Sequence, residues 1–344
     1  MGDHGEKRQH SDEVVLTDPG HIQPKGSTVR IAILDDYQSV ALSSADWNSL
    51  PAGCEVVAFA DHVRDPDQLV LRLSTFDAVC AMRERTVFTR AILERLPRLK
   101  LILATGGRNE AMLDLPAARE LGITVCQTRS FPPATVELTW WLLLSLFRRG
   151  PQEHASVRHG SWQLGIGDSL WDKTLGIVGL GKLSIPVAQI ARAFGMRVVA
   201  WSTNLTAERA SEHGVTAVSR EELFASSDAI TIHMPLSERS RGLIGAADLA
   251  RMKSTAFLLN TSRAPIVDQD ALMDAVMTRR IGGLGVDVFE EEPLPAAHPY
   301  RHLPNVIATP HIGYVTREGY AVYLGDCVAN ALAYLQGKPI RVIN

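Results

Sequence analysis

Residues 174–202 have the sequence TLGIVGLGKLSIPVAQIARAFGMRVVAWS, and this stretch decides the fold of the chain. The apolar run before Gly179 predicts a buried strand, and Gly179 and Gly181 predict a tight turn after it. Apolar residues then recur at helical spacing over residues 183–194, and a second apolar run closes the stretch. A strand, a glycine turn, a helix and a second strand within about 30 residues form one βαβ unit.

The glycine turn predicts a site for a dinucleotide, because backbone N–H groups at the start of the helix can approach a pyrophosphate there. Two positions depart from the usual G-x-G-x-x-G pattern. Ser184 replaces the third glycine, and the second strand ends in Trp-Ser-Thr-Asn at residues 201–204, without the acid that usually holds the ribose 2′-OH. Since no carboxylate repels a 2′-phosphate, both NAD and NADP remain possible.

Length and composition predict an ordinary globular protein. The chain has 344 residues, enough for two domains, with 46% hydrophobic and 21% charged residues. A formal net charge of −3 argues against nucleic-acid and membrane partners, and no apolar run approaches the roughly 18 residues of a membrane span. The four cysteines lack metal-ligand spacing and no signal peptide is recognisable, so we expect no metal site, reduced thiols and a cytoplasmic location.

The order of patterns along the chain predicts an α/β fold with two doubly wound parallel-sheet domains. Residues 1–28 are polar and lack apolar periodicity, which predicts a disordered extension. Short apolar runs then alternate with helical patterns, as in parallel sheets with crossover helices. We expect a Rossmann cofactor domain at residues 131–314, inserted in a flavodoxin-like substrate domain formed by residues 29–130 and 315–344.

One long apolar helix is predicted over residues 134–149. Gly150 and Pro151 follow it directly and predict that it stops there.

Three side chains follow successive predicted strands of the second half: Arg263, Glu292 and His311. Loops after parallel strands open towards the ligand in such folds. Histidine titrates near neutrality and suits the donor that protonates a carbonyl oxygen, and a carboxylate on its second ring nitrogen would fix the tautomer and favour imidazolium. An arginine would hold a substrate carboxylate. Each residue could instead be an ordinary loop or surface group; their joint occurrence favours catalysis.

The second half resembles the D-isomer-specific 2-hydroxyacid dehydrogenase family. The matching segments are LGIVGLGKL, HMPLSERSRGLI (233–244), LLNTSRAPIVDQDAL (258–272), GVDVFEEEPLP (285–295) and TPHIGY (309–314). In that family the histidine of TPHIG is the acid/base, the glutamate before the EP proline pairs with it, and the arginine of NTSR binds substrate. These roles match His311, Glu292 and Arg263.

The resemblance also implies which residues bind ligands. Asp287 matches the aspartate that contacts the nicotinamide carboxamide, and the loop TGGRN (105–109) is similar to the loop that holds the substrate carboxylate. The implied cofactor-binding residues are Gly179, Gly181, Lys182, Leu183, Ser202, Thr203, Asn204, His233, Pro235, Thr261, Ser262, Asp287 and Gly313. The implied substrate-binding residues are Arg83, Gly106, Gly107 and Arg108.

The resemblance implies an NAD(P)-dependent D-2-hydroxyacid dehydrogenase that acts as a 2-oxoacid reductase, with its active site in a cleft between the two domains and a homodimer formed by the cofactor domain. Short phosphoglycerate dehydrogenases and glyoxylate or hydroxypyruvate reductases are alternatives within the family, whereas formate dehydrogenases lack the partner that Glu292 provides. A non-catalytic NAD(H) sensor, similar to the corepressor branch, is an alternative of another class. The three candidate catalytic residues argue against it, since binding alone needs no proton donor.

Overall fold

A computed structural model describes residues 28–106 and 112–344. The extension predicted for residues 1–28 lies outside the described part, apart from Thr28.

The described residues form parallel strands joined by helices. The strands are β1 (Val29–Ile33), β2 (Cys54–Ala58), β3 (Ala78–Ala81), β4 (Leu101–Ala104), β5 (Thr124–Gln127), β6 (Thr174–Val178), β7 (Arg197–Trp201), β8 (Thr216–Ala217), β9 (Ala229–Ile232), β10 (Phe257–Asn260), β11 (Gly283–Val286) and β12 (Val306–Ala308). The α-helices are α1 (Pro66–Leu73), α2 (Arg90–Leu93), α3 (Leu115–Glu120), α4 (Pro132–Arg148), α5 (Gly150–Arg158), α6 (Ser184–Ala193), α7 (Ala207–Ser211), α8 (Arg220–Ser226), α9 (Ala246–Arg251), α10 (Gln269–Met277) and α11 (Arg317–Leu335).

The first compact unit comprises the described residues up to Ser130 together with Tyr320–Asn344. Its five-stranded sheet has the order β2-β1-β3-β4-β5, which is the flavodoxin-like order. Every residue of β3 and β4 is buried, as expected for the central strands of a parallel sheet with helices on both faces. The end of the chain joins the same unit, because Ile343 N donates a hydrogen bond to Val125 O of β5.

The second unit comprises Phe131–Gly319, so it extends past residue 314, where the sequence pattern had placed its end. Its seven-stranded sheet has the order β12-β11-β10-β9-β6-β7-β8. Numbered from β6, this is the doubly wound order 3-2-1-4-5-6 with one further strand, and the order reverses between β6 and β9. The glycine turn after β6 therefore lies at the position where such sheets bind dinucleotides. The predicted α/β fold with two parallel sheets is confirmed.

Helix α4 ends as predicted, but a helix that was not predicted follows it. Arg149 adopts φ +54° and breaks α4, and α5 then begins at Gly150. Pro151 lies in the first turn of α5, where a missing N–H costs nothing because the first helical N–H groups have no intrahelical partner. None of the described helices combines the length and the apolar character that crossing a membrane requires.

Candidate active site

The glycine turn between β6 and α6 has the geometry of an anion-binding loop. Gly179 has φ +93°, and a Cβ added to it would lie 2.8 Å from the carbonyl oxygen of His233, so no other residue fits there. A Cβ added to Gly181 would meet nothing within 4 Å, which means that this backbone faces open space. A pyrophosphate can therefore approach the start of α6, and the residues present fit the dinucleotide that the sequence predicts.

Ser184, at the third glycine position, closes the turn. Its side chain is fully buried, its Oγ donates to Gly179 O at 2.7 Å, and it accepts from Gly181 N at 2.8 Å. The serine is thus small enough for the tight packing that glycine usually permits, and it also supplies hydrogen bonds that hold the turn. Lys182 and Leu183, predicted to contact the cofactor, lie between these residues in the same turn.

The strand β7 ends at Trp201, and Ser202, Thr203 and Asn204 follow it at the same sheet edge as the glycine turn. Thr203 and Asn204 are exposed and Ser202 is half-buried. Arg220 stacks over the Trp201 ring, with its guanidinium carbon 5.4 Å from the ring centre. That guanidinium is already bound to Asp248, with an Nη2–Oδ2 distance of 2.6 Å.

His233 follows β9, next to the point where the strand order reverses. Its Nε2 lies 3.0 Å from Thr231 Oγ1, whereas its buried Nδ1 has no hydrogen-bond partner in the part of the chain that the structure describes. Burial lowers the pKa of His233 to about 4, so the ring is neutral at pH 7. A buried polar atom without a partner is costly, and a polar group of a bound cofactor would satisfy it. Pro235 lies in the same loop, on its exposed side.

The turn after β10 positions Arg263 through Asn260, a residue that the sequence analysis did not single out. Asn260 is buried; its Oδ1 accepts from Ser262 N at 3.0 Å and its Nδ2 donates to Arg263 O at 3.0 Å. Ser262 Oγ donates to Ile232 O of β9 at 2.8 Å, and Thr261 Oγ1 lies 3.1 Å from Thr139 Oγ1 of α4. A buried asparagine that bonds both sides of a turn fixes the backbone from which Arg263 projects.

The predicted pair of Glu292 and His311 is formed. Glu292 Oε2 lies 2.6 Å from His311 Nδ1, and the other carboxylate oxygen, Oε1, accepts from Phe289 N at 2.9 Å. The His311 side chain is 13% exposed and the Glu292 side chain 26% exposed. A short bond between partly buried groups orients the ring and leaves Nε2 as the nitrogen that can exchange a proton with a substrate.

Asp287 holds the loop that carries His311. Its Oδ1 accepts from Thr309 Oγ1 at 2.6 Å and from Ile312 N at 2.8 Å, and its Oδ2 accepts from Gly313 N at 2.8 Å. Burial raises the pKa of this carboxyl, while the nearby His311 and these hydrogen bonds act in the opposite direction. The bonds also stabilise the left-handed backbone of His311, whose φ is +51°. The predicted contacts of Asp287 and Gly313 with the cofactor stay predictions.

Arg263, Glu292 and His311 lie at one edge of one sheet. They follow β10, β11 and β12, which are hydrogen-bonded neighbours in parallel register. Glu292 and His311 are in direct contact. Arg263 lies at the same edge because it follows β10, and its Nη1 donates to Ser262 O at 2.6 Å.

The predicted substrate-binding residues belong to the first unit. Arg83 N donates to Thr105 Oγ1 at 2.9 Å, and Arg83 Nη1 donates to Gly106 O at 2.6 Å. Gly106 has φ +82° and its N–H donates to Thr128 Oγ1 at 2.8 Å. Gly107 and Arg108 lie outside the described residues. No group of metal-ligating side chains is present in residues 28–106 and 112–344.

A doubly wound sheet with a glycine turn at its switch point, and an imidazole–carboxylate pair at the same edge, are features expected of a dinucleotide-dependent oxidoreductase. Residues 140–313 match the family described as D-isomer specific 2-hydroxyacid dehydrogenase, NAD binding domain. The chain belongs to this family and is an NAD(P)-dependent oxidoreductase acting on 2-hydroxyacids or 2-oxoacids.

Individual relatives agree with this assignment. A glyoxylate reductase of Aeropyrum pernix is 38% identical over 266 residues, which cover 74% of this chain and 78% of that protein. A D-3-phosphoglycerate dehydrogenase of Synechocystis is 36% identical over 77% of this chain, but this chain spans only 48% of its length. A solved structure of a putative D-3-phosphoglycerate dehydrogenase from Ralstonia solanacearum is 40% identical, with a TM-score of 0.88 over 92% of this chain and 97% of that chain.

Proposed function

We propose that the protein is a 2-oxoacid reductase in which His311 is the acid/base, Glu292 orients it and Arg263 binds the substrate carboxylate. The observation that carries the proposal is the 2.6 Å bond between His311 Nδ1 and Glu292 Oε2. A protein that only senses a dinucleotide needs no such pair, whereas a carbonyl reductase needs an oriented proton donor.

The reaction requires one hydride and one proton. Nicotinamide, when bound, supplies the hydride for C2 of the oxoacid. His311 gives the proton of Nε2–H to the carbonyl oxygen, and Glu292 stabilises the imidazolium from which that proton leaves. In the reverse direction His311 accepts the hydroxyl proton. Arg263 holds the carboxylate next to the reacting carbon and draws electron density from the carbonyl, which favours hydride attack.

The proposed substrates are small oxoacids without a phosphate group. Arg85 donates to Asp35 O at 2.6 Å and stacks over the Tyr37 ring at 4.4 Å, and Arg83 donates to Gly106 O. The Arg85 guanidinium is therefore already bound within the first unit, which argues against its holding the phosphate of the phosphoglycerate alternative. The names of relatives such as the Aeropyrum glyoxylate reductase and a hydroxypyruvate reductase of Blautia hydrogenotrophica suggest glyoxylate and hydroxypyruvate as the first candidates. In this proposal Arg83 and Gly106 contact the substrate through the loop that they share.

We also propose that the enzyme accepts NADPH as well as NADH. Ser202 occupies the position where an acid would repel a 2′-phosphate, and no carboxylate follows it before residue 208.

A homodimer in the cytoplasm completes the proposal. The segment after α5 exposes large apolar side chains, among them Trp162 (73% exposed), Ile166 (97%) and Trp171 (68%). Several exposed large apolar side chains within one short segment favour association, and a second copy of this unit is the expected partner. The four cysteines are free thiols, consistent with a reducing compartment.

Ile166→Asp should shift the mass measured by light scattering from that of a dimer to that of a monomer. A wild-type protein that is monomeric at micromolar concentration would contradict the proposed homodimer.

Steady-state assays test the catalytic proposal. Glyoxylate, hydroxypyruvate and larger 2-oxoacids are offered with NADH and with NADPH, and oxidation is followed by the loss of nicotinamide absorbance. We expect turnover with at least one of the small oxoacids. If the protein bound NADH or NADPH but oxidised neither with any of these substrates, the sensor alternative would be favoured.

A further inference from the structure

Helix α4 packs directly on the strands that lead to the candidate catalytic residues. A Cβ added to Gly285 of β11 would lie 3.1 Å from Leu146 Cδ1 and 3.3 Å from Leu142 Cβ, so the glycine lets the helix approach the strand closely. Leu142 and Leu146 belong to the same buried cluster as Leu259 of β10 and Ile307 of β12. Because close-packed interiors yield little to displacement, α4 is a rigid support for groups that are bonded to it.

Thr135, near the start of α4, is bonded to the loop that carries His311. Its Oγ1 donates to Gly313 O at 2.8 Å, and the N–H of the same glycine donates to Asp287 Oδ2 at 2.8 Å. Both polar groups of the Gly313 backbone are therefore held, one by α4 and one by the loop after β11. Since Gly313 follows His311 by only two residues, these bonds fix the backbone from which the imidazole projects.

Thr139 lies one helical turn further along α4 and contacts the turn that carries Arg263. Its Oγ1 donates to Thr135 O at 2.8 Å and lies 3.1 Å from Thr261 Oγ1. A hydroxyl has a single proton, so Thr261 donates to Thr139 in this contact. Thr139 is 2% exposed and Thr261 7% exposed, which keeps solvent from competing for the bond. Thr261 precedes Arg263 by two residues, so α4 also supports the turn of the arginine.

We propose that Thr135 and Thr139 are positioning residues, which hold the proton donor and the substrate-binding arginine in register through one helix. Residues four apart lie on the same face of a helix, so the two hydroxyl groups bond two loops to one support. The inference rests on the proposed roles of His311 and Arg263. Those two groups must act on one substrate at the same time, and a displacement of about 1 Å can reduce the rate roughly 100-fold.

Single-turnover hydride transfer tests Thr135. Wild type, Thr135→Val and Thr135→Ser are preloaded with NADH and mixed with glyoxylate or hydroxypyruvate, whichever the wild type reduces faster. Valine keeps the shape of threonine but lacks the hydroxyl, so we expect the rate constant to fall about tenfold or more. Serine keeps the hydroxyl and should stay within about threefold of wild type. A loss of folded protein would lower the amplitude of the transient and leave its rate constant unchanged.

Binding of oxamate, an unreactive mimic of a 2-oxoacid, tests Thr139. In isothermal titration of the NADH-loaded enzyme, the Kd should rise about 3- to 10-fold in Thr139→Val, because one hydrogen bond to the turn of Arg263 is lost. In Thr139→Ser the Kd should stay within about twofold of wild type.

Thr278→Val is the matched control for both assays. Thr278 Oγ1 donates to Asp274 O at 2.7 Å, the same bond to the preceding helical turn that Thr139 makes, but Thr278 is exposed at the end of α10. Its rate constant and its Kd for oxamate should stay within about twofold of wild type.

The outcomes separate this inference from the proposed function. If His311→Ala is slow but Thr135→Val has the wild-type rate constant, or if Thr135→Ser loses as much as Thr135→Val, the inference is overturned and the proposed function stands. Unchanged oxamate binding by Thr139→Val would overturn the role given to Thr139. Thr135 is only half-buried, so its variants test the inference even if the buried Thr139→Val does not fold. Absence of hydride transfer by the wild type with either oxoacid would overturn the proposed function, and this inference with it.

Discussion

The substitution Glu292→Gln isolates the contribution of charge to the catalytic pair. Glutamine keeps the shape of the side chain but removes the negative charge that lies 2.6 Å from His311 Nδ1. A hydrogen bond between charged partners contributes roughly 1.5–3 kcal/mol, and this charge acts on the imidazolium that exists when the proton is in transit. We expect kcat/KM for the oxoacid to fall roughly 10- to 150-fold, while the Kd of NADH changes little.

The assay is steady-state oxidation of NADH or NADPH, combined with a fluorescence titration for the Kd of the cofactor. Glu290→Gln is the control, because it removes the same charge from an exposed glutamate of the same loop. If Glu292→Gln retained the wild-type kcat/KM, or if Glu290→Gln lost as much, the role given to the pair would be refuted.

Three further predictions concern the cofactor domain. Ser202→Asp places a carboxylate at the end of β7, so KM for NADPH should rise about tenfold or more while KM for NADH does not rise; equal changes for both cofactors would contradict the placement. Gly179→Ala forces a Cβ to within 2.8 Å of His233 O at φ +93°, and we expect a loss of about 1–3 kcal/mol in the free energy of unfolding by urea; an unchanged midpoint would disprove the close approach. The third concerns His233, whose pKa of about 4 lies below the ordinary value of 6.5. Between these two pH values the unfolded chain binds a proton at His233 and the folded chain does not. The free energy of unfolding should therefore fall by up to about 3 kcal/mol as the pH decreases from 6.5 to 4. His233→Gln should lack this part of the pH dependence, and parallel pH profiles for the two proteins would argue against a neutral buried ring.

Much of the fold follows from sequence because its signals are local. The βαβ unit at the glycine turn is encoded by apolar runs and glycines within a few residues, and the order of runs along the chain predicts parallel sheets. The end of α4 was predictable for the same reason. Helix α5 was not, because Gly150 and Pro151 are signals both for the end of one helix and for the first turn of another.

The contact between His311 and Glu292 was predictable from the sequence, but the hydrogen bonds that hold their loops in place were not. His311 and Glu292 could be paired because each follows a strand of one sheet, and strand ends converge. Asp287 fixes the backbone around His311 by accepting hydrogen bonds from the main-chain N–H groups of Ile312 and Gly313. No sequence pattern specifies such bonds. Asn260 was missed for the same reason. The contact of His62 Nδ1 with Asp35 Oδ1, at 2.8 Å in the first unit, was also not predicted, because the two residues follow different strands and carry no recognisable motif.

The central claim is that His311 moves the proton that accompanies hydride transfer. Its most direct test is stopped-flow measurement of a single turnover, in which wild type and His311→Ala are each preloaded with reduced cofactor and mixed with the preferred oxoacid. We expect the variant to bind cofactor with nearly the wild-type Kd but to transfer hydride about 10²–10⁴ times more slowly, the range that general acid catalysis contributes. Hydride transfer at the wild-type rate in His311→Ala would contradict the account.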